Sequence, residues 1–173
     1  ADFLQTWLLP IGLLTSLYGV IGALASERLR RFVGFMVLSS IGTILVSIAM
    51  LNTQAWTAGL YYLIHSTLIA ASFYLLCGWI TSQRGAMKDH LKVAPKMKQD
   101  KVLAVTFFLI ALMMACLPPF SGFLGKVLIL QATANMAAQG WIIAIILIVS
   151  LLSIIAFTRV GFILFWRATT PED

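Results

Sequence analysis

Long apolar runs, separated by short polar connections, constrain the fold of this chain more than any other feature of its sequence. Five runs occupy about residues 3–25, 32–51, 56–81, 102–138 and 141–166. A helix needs roughly 20 apolar residues to cross a bilayer. Because backbone N–H and C=O groups inside lipid must bond within their own segment, each run predicts a helix. The sequence therefore predicts an all-α polytopic membrane protein with about five transmembrane helices, forming one transmembrane domain over residues 1–173.

The composition excludes several classes of soluble protein. Hydrophobic residues make up 61% of the chain and charged residues 10%, whereas soluble domains are roughly half apolar and a quarter charged. An ordinary soluble enzyme, a disordered segment and a nucleic-acid binder are therefore excluded, and no motif of a hydrolase, phosphate-binding loop or zinc protease is found. The 2 cysteines lie inside apolar runs without paired spacing. We therefore expect neither a metal site nor a cofactor.

Basic and uncharged connections alternate along the chain. Residues 26–31 and 82–101 are rich in Lys and Arg and Arg167 follows the last run, whereas residues 52–55 and 135–140 carry no charge. Cytoplasmic connections of membrane proteins carry an excess of Lys and Arg. We therefore expect the N-terminus outside, the C-terminus in the cytoplasm, and residues 82–101 as a basic cytoplasmic loop.

The fourth run contains a helix break. Its 37 residues (102 to 138) would form a helix of about 55 Å, much longer than the roughly 30 Å hydrocarbon core. Pro118 and Pro119 lack the N–H that a helix needs, and Gly122 loosens the backbone further. Two short crossings would place Arg167 outside, so we predict one discontinuous helix. Breaks at depth are typical of transport sites, and a proline kink without function is the alternative.

Two titratable side chains are predicted to lie deep in the membrane. Lys126 is roughly 18 Å along a helix from Ala138, and His65 is roughly 14 Å from Trp56. A lysine at mid-membrane costs about 2.5–3.5 kcal/mol on insertion scales. Because burial disfavours its charged form, it can load and release a proton near neutral pH. The alternatives are a snorkelling lysine and a histidine satisfied by helix packing.

Further polar residues extend these two positions into a possible path. Tyr61 and Ser72 share the helical face of His65, and Ser40, Thr43 and Ser47 form a stripe on the second run. Each hydroxyl is also compatible with ordinary helix packing. Arg159, near the basic end of the last run, is interpreted either as snorkelling or as part of a buried ion pair. No acidic residue falls at mid-membrane, so a carboxylate partner for Lys126 would come from outside this chain.

Four stretches resemble one known family. Residues 117–126 (Leu-Pro-Pro-Phe-Ser-Gly-Phe-Leu-Gly-Lys) resemble the broken-helix signature of the antiporter-like subunits of respiratory complex I and of Mrp-type Na+/H+ antiporters. Residues 27–32 resemble the basic loop of that family, and residues 39–42 (Ser-Ser-Ile-Gly) resemble its Tyr-Ser-Ser/Thr-x-x-x-Gly helix. Residues 61–68 are similar to the D-subunit branch of the Mrp/Pha cation/proton antiporters. The resemblance covers nearly the whole chain, in order and spacing.

The resemblance implies a fold and a function. It implies the second of two inverted five-helix repeats of a larger subunit, with protons relayed through His65, water and Lys126. The expected partners are other subunits of a membrane antiporter complex, H+ and either Na+ or K+, in a prokaryotic plasma (inner) membrane. Such a chain is a secondary transporter subunit rather than an enzyme. The alternatives are a proton-pumping membrane-arm subunit of an NADH:quinone oxidoreductase-like complex and a non-conducting membrane scaffold.

Overall fold

A computed structural model describes residues 2–134 and 136–168, and the regular structure in this part of the chain is helical. Asn135, which belongs to the predicted uncharged turn, lies outside the described residues. The helices are α1 (Asp2–Leu24), α2 (Leu29–Ala49), α3 (Thr53–Gln83), α4 (Asp100–Met114), α5 (Ser121–Gln131) and α6 (Gln139–Gly161). A 3-10 turn over Gly85–Met87 follows α3, and a π-helical turn over Phe162–Trp166 extends α6.

The lengths of these helices confirm a polytopic membrane protein. The described residues contain 4 stretches long and apolar enough to cross a membrane: Gln5–Leu24, Leu29–Ala49, Thr53–Gln83 and Gln139–Trp166. Helices α4 and α5 have 15 and 11 residues, so they rise only about 22 and 17 Å. Neither reaches across the roughly 30 Å hydrocarbon core by itself.

Helices α4 and α5 instead form one interrupted crossing along α3. Side chains along α3, and of the residue that caps its start, contact successive positions along α4, α5 and their flanking residues in antiparallel order. These contacts are Gln83 Nε2 to Gln99 Oε1 (3.1 Å), the Phe73 ring to the Phe107 ring (5.7 Å between centroids), His65 Nε2 to the Met113 carbonyl (3.2 Å) and Asn52 Nδ2 to the Ala132 carbonyl (3.3 Å). The prediction of a discontinuous fourth helix is therefore confirmed.

Helices α1 and α2 pack at backbone distance. A Cβ added to Gly42 would lie 2.3 Å from the Ser16 backbone nitrogen, and one added to Gly19 would lie 2.4 Å from the Ser39 nitrogen. Small residues permit this approach in membranes, where dispersion contacts and interhelical hydrogen bonds drive helix association. The Ser39 hydroxyl donates to the Ser16 carbonyl at 2.9 Å across the contact. The α1–α2 pair is thus a tightly closed interface.

The two basic connections meet at one end of the bundle. The Leu29 N–H donates to the Asp89 carbonyl, and the Leu91 N–H donates to the Glu27 carbonyl, each at 2.7 Å. The buried Arg84 guanidinium donates to the carbonyls of His90 and Lys92. Burial lowers the pKa of Arg84, but a guanidinium stays protonated in proteins. The cytoplasmic placement of this end stays a prediction from the excess of basic residues.

Candidate functional site

The break between α4 and α5 leaves backbone carbonyls without helical donors. Pro118 and Pro119 have no N–H to give to the carbonyls of Met114 and Ala115, one turn earlier. The Cys116 thiol donates to the Met114 carbonyl at 3.5 Å, which replaces one of the missing bonds. In a continuous helix these carbonyls would be satisfied by helical hydrogen bonds. The break instead leaves them polar where the two hydrophobic core clusters of the bundle meet.

His65, near the middle of α3, bridges the two half-helices. Its Nε2 lies 3.2 Å from the Met113 carbonyl at the end of α4, and its Nδ1 lies 2.8 Å from the Ser121 hydroxyl at the start of α5. Because a carbonyl only accepts hydrogen bonds, Nε2 carries the proton and Nδ1 accepts from Ser121 in the neutral ring. His65 also lines an outward groove with Tyr61 and Leu68. Nδ1 can accept a second proton when the Ser121 hydroxyl turns away from it.

Gly122 allows this close approach of α5 to the histidine. A Cβ at position 122 would lie 2.4 Å from His65 Nε2 and 2.9 Å from Cys116 Sγ. Carbon atoms are not found at such distances from neighbouring side chains, so any larger residue would displace the imidazole or the thiol. The glycine of the predicted helix break thus has a second role, because it seats His65 against the break.

Lys126 is buried inside the bundle. The side chain is 8% exposed, and its Nζ donates to the Ser150 hydroxyl of α6 at 2.9 Å. Ser150 in turn donates to the Ile146 carbonyl at 2.9 Å. A cavity of about 190 Å³, lined by Lys126, Ser150 and the break residues 115–118, surrounds the amine. The side chain does not snorkel toward an end of the bundle, so a charged Lys126 must be stabilised where it lies.

The tyrosine at this site is Tyr62 rather than Tyr61. Tyr62 is 2% exposed and its hydroxyl lies 3.7 Å from Cys116 Sγ, whereas Tyr61 is 39% exposed on the outward groove. Sequence reasoning favours Tyr61 because it precedes His65 by one helical turn. It misses Tyr62, Cys116 and Ser121 as partners of the predicted residues. The Pro-Pro-Phe-Ser-Gly string is the signal that could have indicated Ser121, since a hydroxyl at the first position of a half-helix faces the break.

The predicted hydroxyl stripe of α2 divides between two interfaces. Ser40 donates to the Met36 carbonyl at 3.3 Å and also interacts with the Tyr62 hydroxyl. Ser47 is buried beside Gly59 of α3, where an added Cβ would lie 2.0 Å from its hydroxyl. Thr43 instead lies in the α1–α2 interface, 3.4 Å from the Ser16 hydroxyl. Of the stripe, Ser40 is the member that the structure brings to the His65 and Tyr62 region.

The structure places the other two predicted path residues away from Lys126. Ser72 is exposed on α3, and its hydroxyl donates to the Leu68 carbonyl at 2.9 Å. Arg159 reaches the basic end of the bundle, where its guanidinium donates to the Leu24 carbonyl at 2.5 Å and to the Ser26 carbonyl at 3.4 Å. Arg159 therefore secures the α1–α2 connection to α6 through backbone carbonyls.

Comparisons with known proteins identify the family of this chain. The family described as NADH:quinone oxidoreductase/Mrp antiporter, transmembrane, matches residues 1–155. The chain is 32% identical to the D subunit of a probable K+/H+ antiporter of Rhizobium meliloti (strain 1021), over 97% of this chain and 36% of that protein. It is 33% identical to the D subunit of the Na+/H+ antiporter of Bacillus subtilis (strain 168), over 98% of this chain and 34% of that protein.

A solved structure gives the same result for the fold. The chain superposes on the Mrp complex from Dietzia sp. DQ12-45-1b with a TM-score of 0.82 and 30% identity, over 98% of this chain and 32% of that chain. The chain spans about a third of the length of the curated relatives it matches.

Proposed function

We propose that this chain, which belongs to the NADH:quinone oxidoreductase/Mrp antiporter transmembrane family, forms the proton-translocating part of a monovalent cation/proton antiporter complex. One observation carries the proposal: the Lys126 amine is buried beside a broken helix, on a cavity, with a neutral hydroxyl as its hydrogen-bond partner. An intramembrane amine is a functional group by default, because its charged form is costly there. The names of the relatives support the choice of transported ions.

The proposed relay uses His65, water and Lys126. His65 holds a proton on Nε2 through the Met113 carbonyl and offers Nδ1 to a second proton when Ser121 turns away. The cavity of about 190 Å³ at Lys126 has room for several water molecules. Lys126 then accepts a proton from this water and, when neighbouring charges change, returns it. Na+ and K+ are both compatible with the relay.

The chain itself offers Lys126 no buried carboxylate. Its acidic residues fall in the connections and at the termini of the sequence: Asp2, Glu27, Asp89, Asp100, Glu172 and Asp173. We therefore place the compensating negative charge on other subunits or on other parts of the same polypeptide. In this proposal the chain is the second repeat of a larger subunit in a prokaryotic plasma membrane. It acts as a secondary transporter subunit rather than as an enzyme.

Two alternative functions would use the same site geometry. The family description includes NADH:quinone oxidoreductase, so a redox-driven proton-pumping subunit would use the same lysine, and neighbouring genes would distinguish the two complexes. A non-conducting scaffold would keep Lys126 permanently charged on Ser150. The cavity beside Lys126 favours conduction, because a purely structural hydrogen bond needs no space around the amine.

The test is Lys126→Ala in the complete protein, assembled with its partners in membrane vesicles. We expect transport, followed as cation-dependent proton movement with a pH-sensitive dye, to be lost while the amount of assembled complex persists. Lys98→Ala, at an exposed position of the basic loop, is the matched control and should transport normally. Normal antiport by the Lys126→Ala complex would reject the proton role.

A further inference from the structure

His65 and Lys126 face different spaces on the two sides of the helix break. His65 lines the outward groove with Tyr61 and Leu68. Lys126 lines the cavity between α5 and α6 with Ile146 and Ser150. A relay between these two residues therefore needs a group that reaches both sides of the break.

Cys116 occupies this position. Cys116 lines the Lys126 cavity, and its thiol interacts with the His65 side chain. Its Sγ lies 3.7 Å from the Tyr62 hydroxyl, and the residue is 6% exposed. Cys116 therefore contacts His65 and also borders the cavity that Lys126 lines.

The backbone at this residue favours a smaller side chain. Cys116 has a φ of +58°, in the left-handed region that glycine adopts without steric cost. A cysteine there is sterically disfavoured relative to glycine. The residue in this conformation lines the Lys126 cavity and lies beside His65, and we infer a use for its thiol.

Tyr62 holds the thiol in place. The ring is 2% exposed and lies 6.2 Å from the His65 ring, centroid to centroid. Helix α5 closes on the ring at Gly125, where an added Cβ would lie 3.0 Å from Tyr62 Cδ2. Because the ring cannot move freely, its hydroxyl stays directed at Cys116 Sγ. A phenolic O–H can donate to sulfur, and a donor of this kind stabilises a thiolate.

We propose that the Cys116 thiol carries protons between His65 and Lys126, and that Tyr62 is its positioning residue. This inference rests on the proton-translocating function proposed above. In one direction, the thiol gives its proton through cavity water to the neutral Lys126 amine, leaving a thiolate and an ammonium. The imidazolium of His65 then protonates the thiolate. The net result is one proton moved from His65 to Lys126 with the thiol restored, and the reverse sequence moves it back.

The experiment uses the complete protein in its assembled complex, in membrane vesicles, with the initial transport rate expressed per assembled complex. Cys116→Ala should lower the rate about a hundredfold, as expected when a proton-transfer group is lost. Cys77→Ala is the matched control, because Cys77 is equally buried but lies in the core cluster of Phe32 and Phe73; its rate should stay within about twofold. Cys116→Gly removes the thiol while suiting the positive φ, and it should be as slow as Cys116→Ala.

The positioning role has its own readout. Tyr62→Phe removes only the hydroxyl, so the thiolate loses a donor and the transport rate should fall about tenfold, a change of about 1.4 kcal/mol in barrier. The pH optimum should also move upward, because the thiol then releases its proton less readily. Tyr74→Phe, at an exposed position of the same helix, should change neither the rate nor the pH profile. A lower rate with an unchanged pH profile would overturn the positioning role.

The outcomes separate this inference from the proposed function. Near-normal transport by Cys116→Ala or Cys116→Gly, in vesicles where Lys126→Ala is inactive, would overturn the thiol step and leave the proposed function standing. An active Lys126→Ala complex would remove the proposed function itself.

Discussion

The α1–α2 pair and the broken crossing along α3 both place polar side chains inside the membrane, yet they differ in what those side chains can do. In the α1–α2 pair, Ser16 and Ser39 bond to each other's backbone across a contact too close for a Cβ at Gly42. At the break, His65 and Lys126 can change protonation and are bordered by a groove and a cavity.

This comparison shows that intramembrane polarity alone does not indicate a transport path. Hydroxyl groups that satisfy one another in a closed contact stabilise helix association. A path also needs a titratable group and a disrupted backbone or cavity beside it. The polar residues that meet between α1 and α2 are Ser16, Ser39 and Thr43, and none of these is a titratable acid or base. The break region combines titratable side chains with a disrupted backbone and a cavity. Variants that differ only in one methyl group can test this distinction.

The largest effect is expected from Gly42→Ala in α2. The added Cβ would meet the Ser16 backbone nitrogen at 2.3 Å, and backbone cannot move aside as a side chain can. Overpacking of this kind costs about 1–3 kcal/mol, occasionally more, so the amount of assembled complex should fall about tenfold or more. Quantitation of complex extracted in mild detergent measures this. Gly34→Ala is the control, because its added Cβ would make an ordinary 3.4 Å contact with the Tyr74 hydroxyl. Equal amounts of assembled complex from both variants would refute the closed α1–α2 contact.

A different kind of loss is expected from Gly122→Ala at the break. Here the added Cβ meets the side chains of His65 and Cys116, which can shift without separating the helices. The complex should therefore assemble, but transport should fall about tenfold or more because the imidazole leaves Met113 and Ser121. Gly78→Ala on α3 meets nothing within 4 Å and serves as the control. If Gly122→Ala transported like Gly78→Ala, the seating of His65 would not matter.

The smallest effect is expected from Ser150→Ala on α6. The Lys126 ammonium would lose an acceptor at 2.9 Å, and hydrogen bonds to charged groups are worth about 1.5–3 kcal/mol. Because the charged form loses support, the pH midpoint of transport should move downward, and cavity water should replace part of the loss. The matched control is Ser153→Ala, whose hydroxyl donates to the Val149 carbonyl on the same helix. A pH profile identical for both variants would contradict a role for Ser150.

Local chemistry explains which features the sequence could predict. Pro118 and Pro119 end a helix wherever they stand, so the broken crossing follows from the residues themselves. Counting along the fourth run places Lys126 after the break, and the structure has it in α5 with a buried side chain. Its depth in the membrane stays a prediction. Helix positions along a strongly apolar run are therefore predictable to within a few residues.

The rotation of each helix about its axis was not predictable in the same way. On α3, Tyr61 and Ser72 share the helical face of His65, yet both are exposed, so this polar face does not indicate that Tyr62 points inward. On α2, Ser40, Thr43 and Ser47 fall within an arc of about 60°, but α1 and α3 both contact that arc. Thr43 therefore bonds toward α1, whereas Ser40 and Ser47 lie toward α3. Only the packing of neighbouring helices decides such assignments.

The central claim is that the buried Lys126 amine gives up and regains a proton, and Lys126→Arg tests it most directly. A guanidinium keeps the positive charge and can donate to Ser150, and the cavity of about 190 Å³ offers room for it, but it does not lose its proton in proteins. Measured in vesicles containing the complete complex, Lys126→Arg should assemble normally and transport about a hundredfold more slowly or worse. Transport at the wild-type rate would show that a fixed charge at this position is sufficient and would contradict the account.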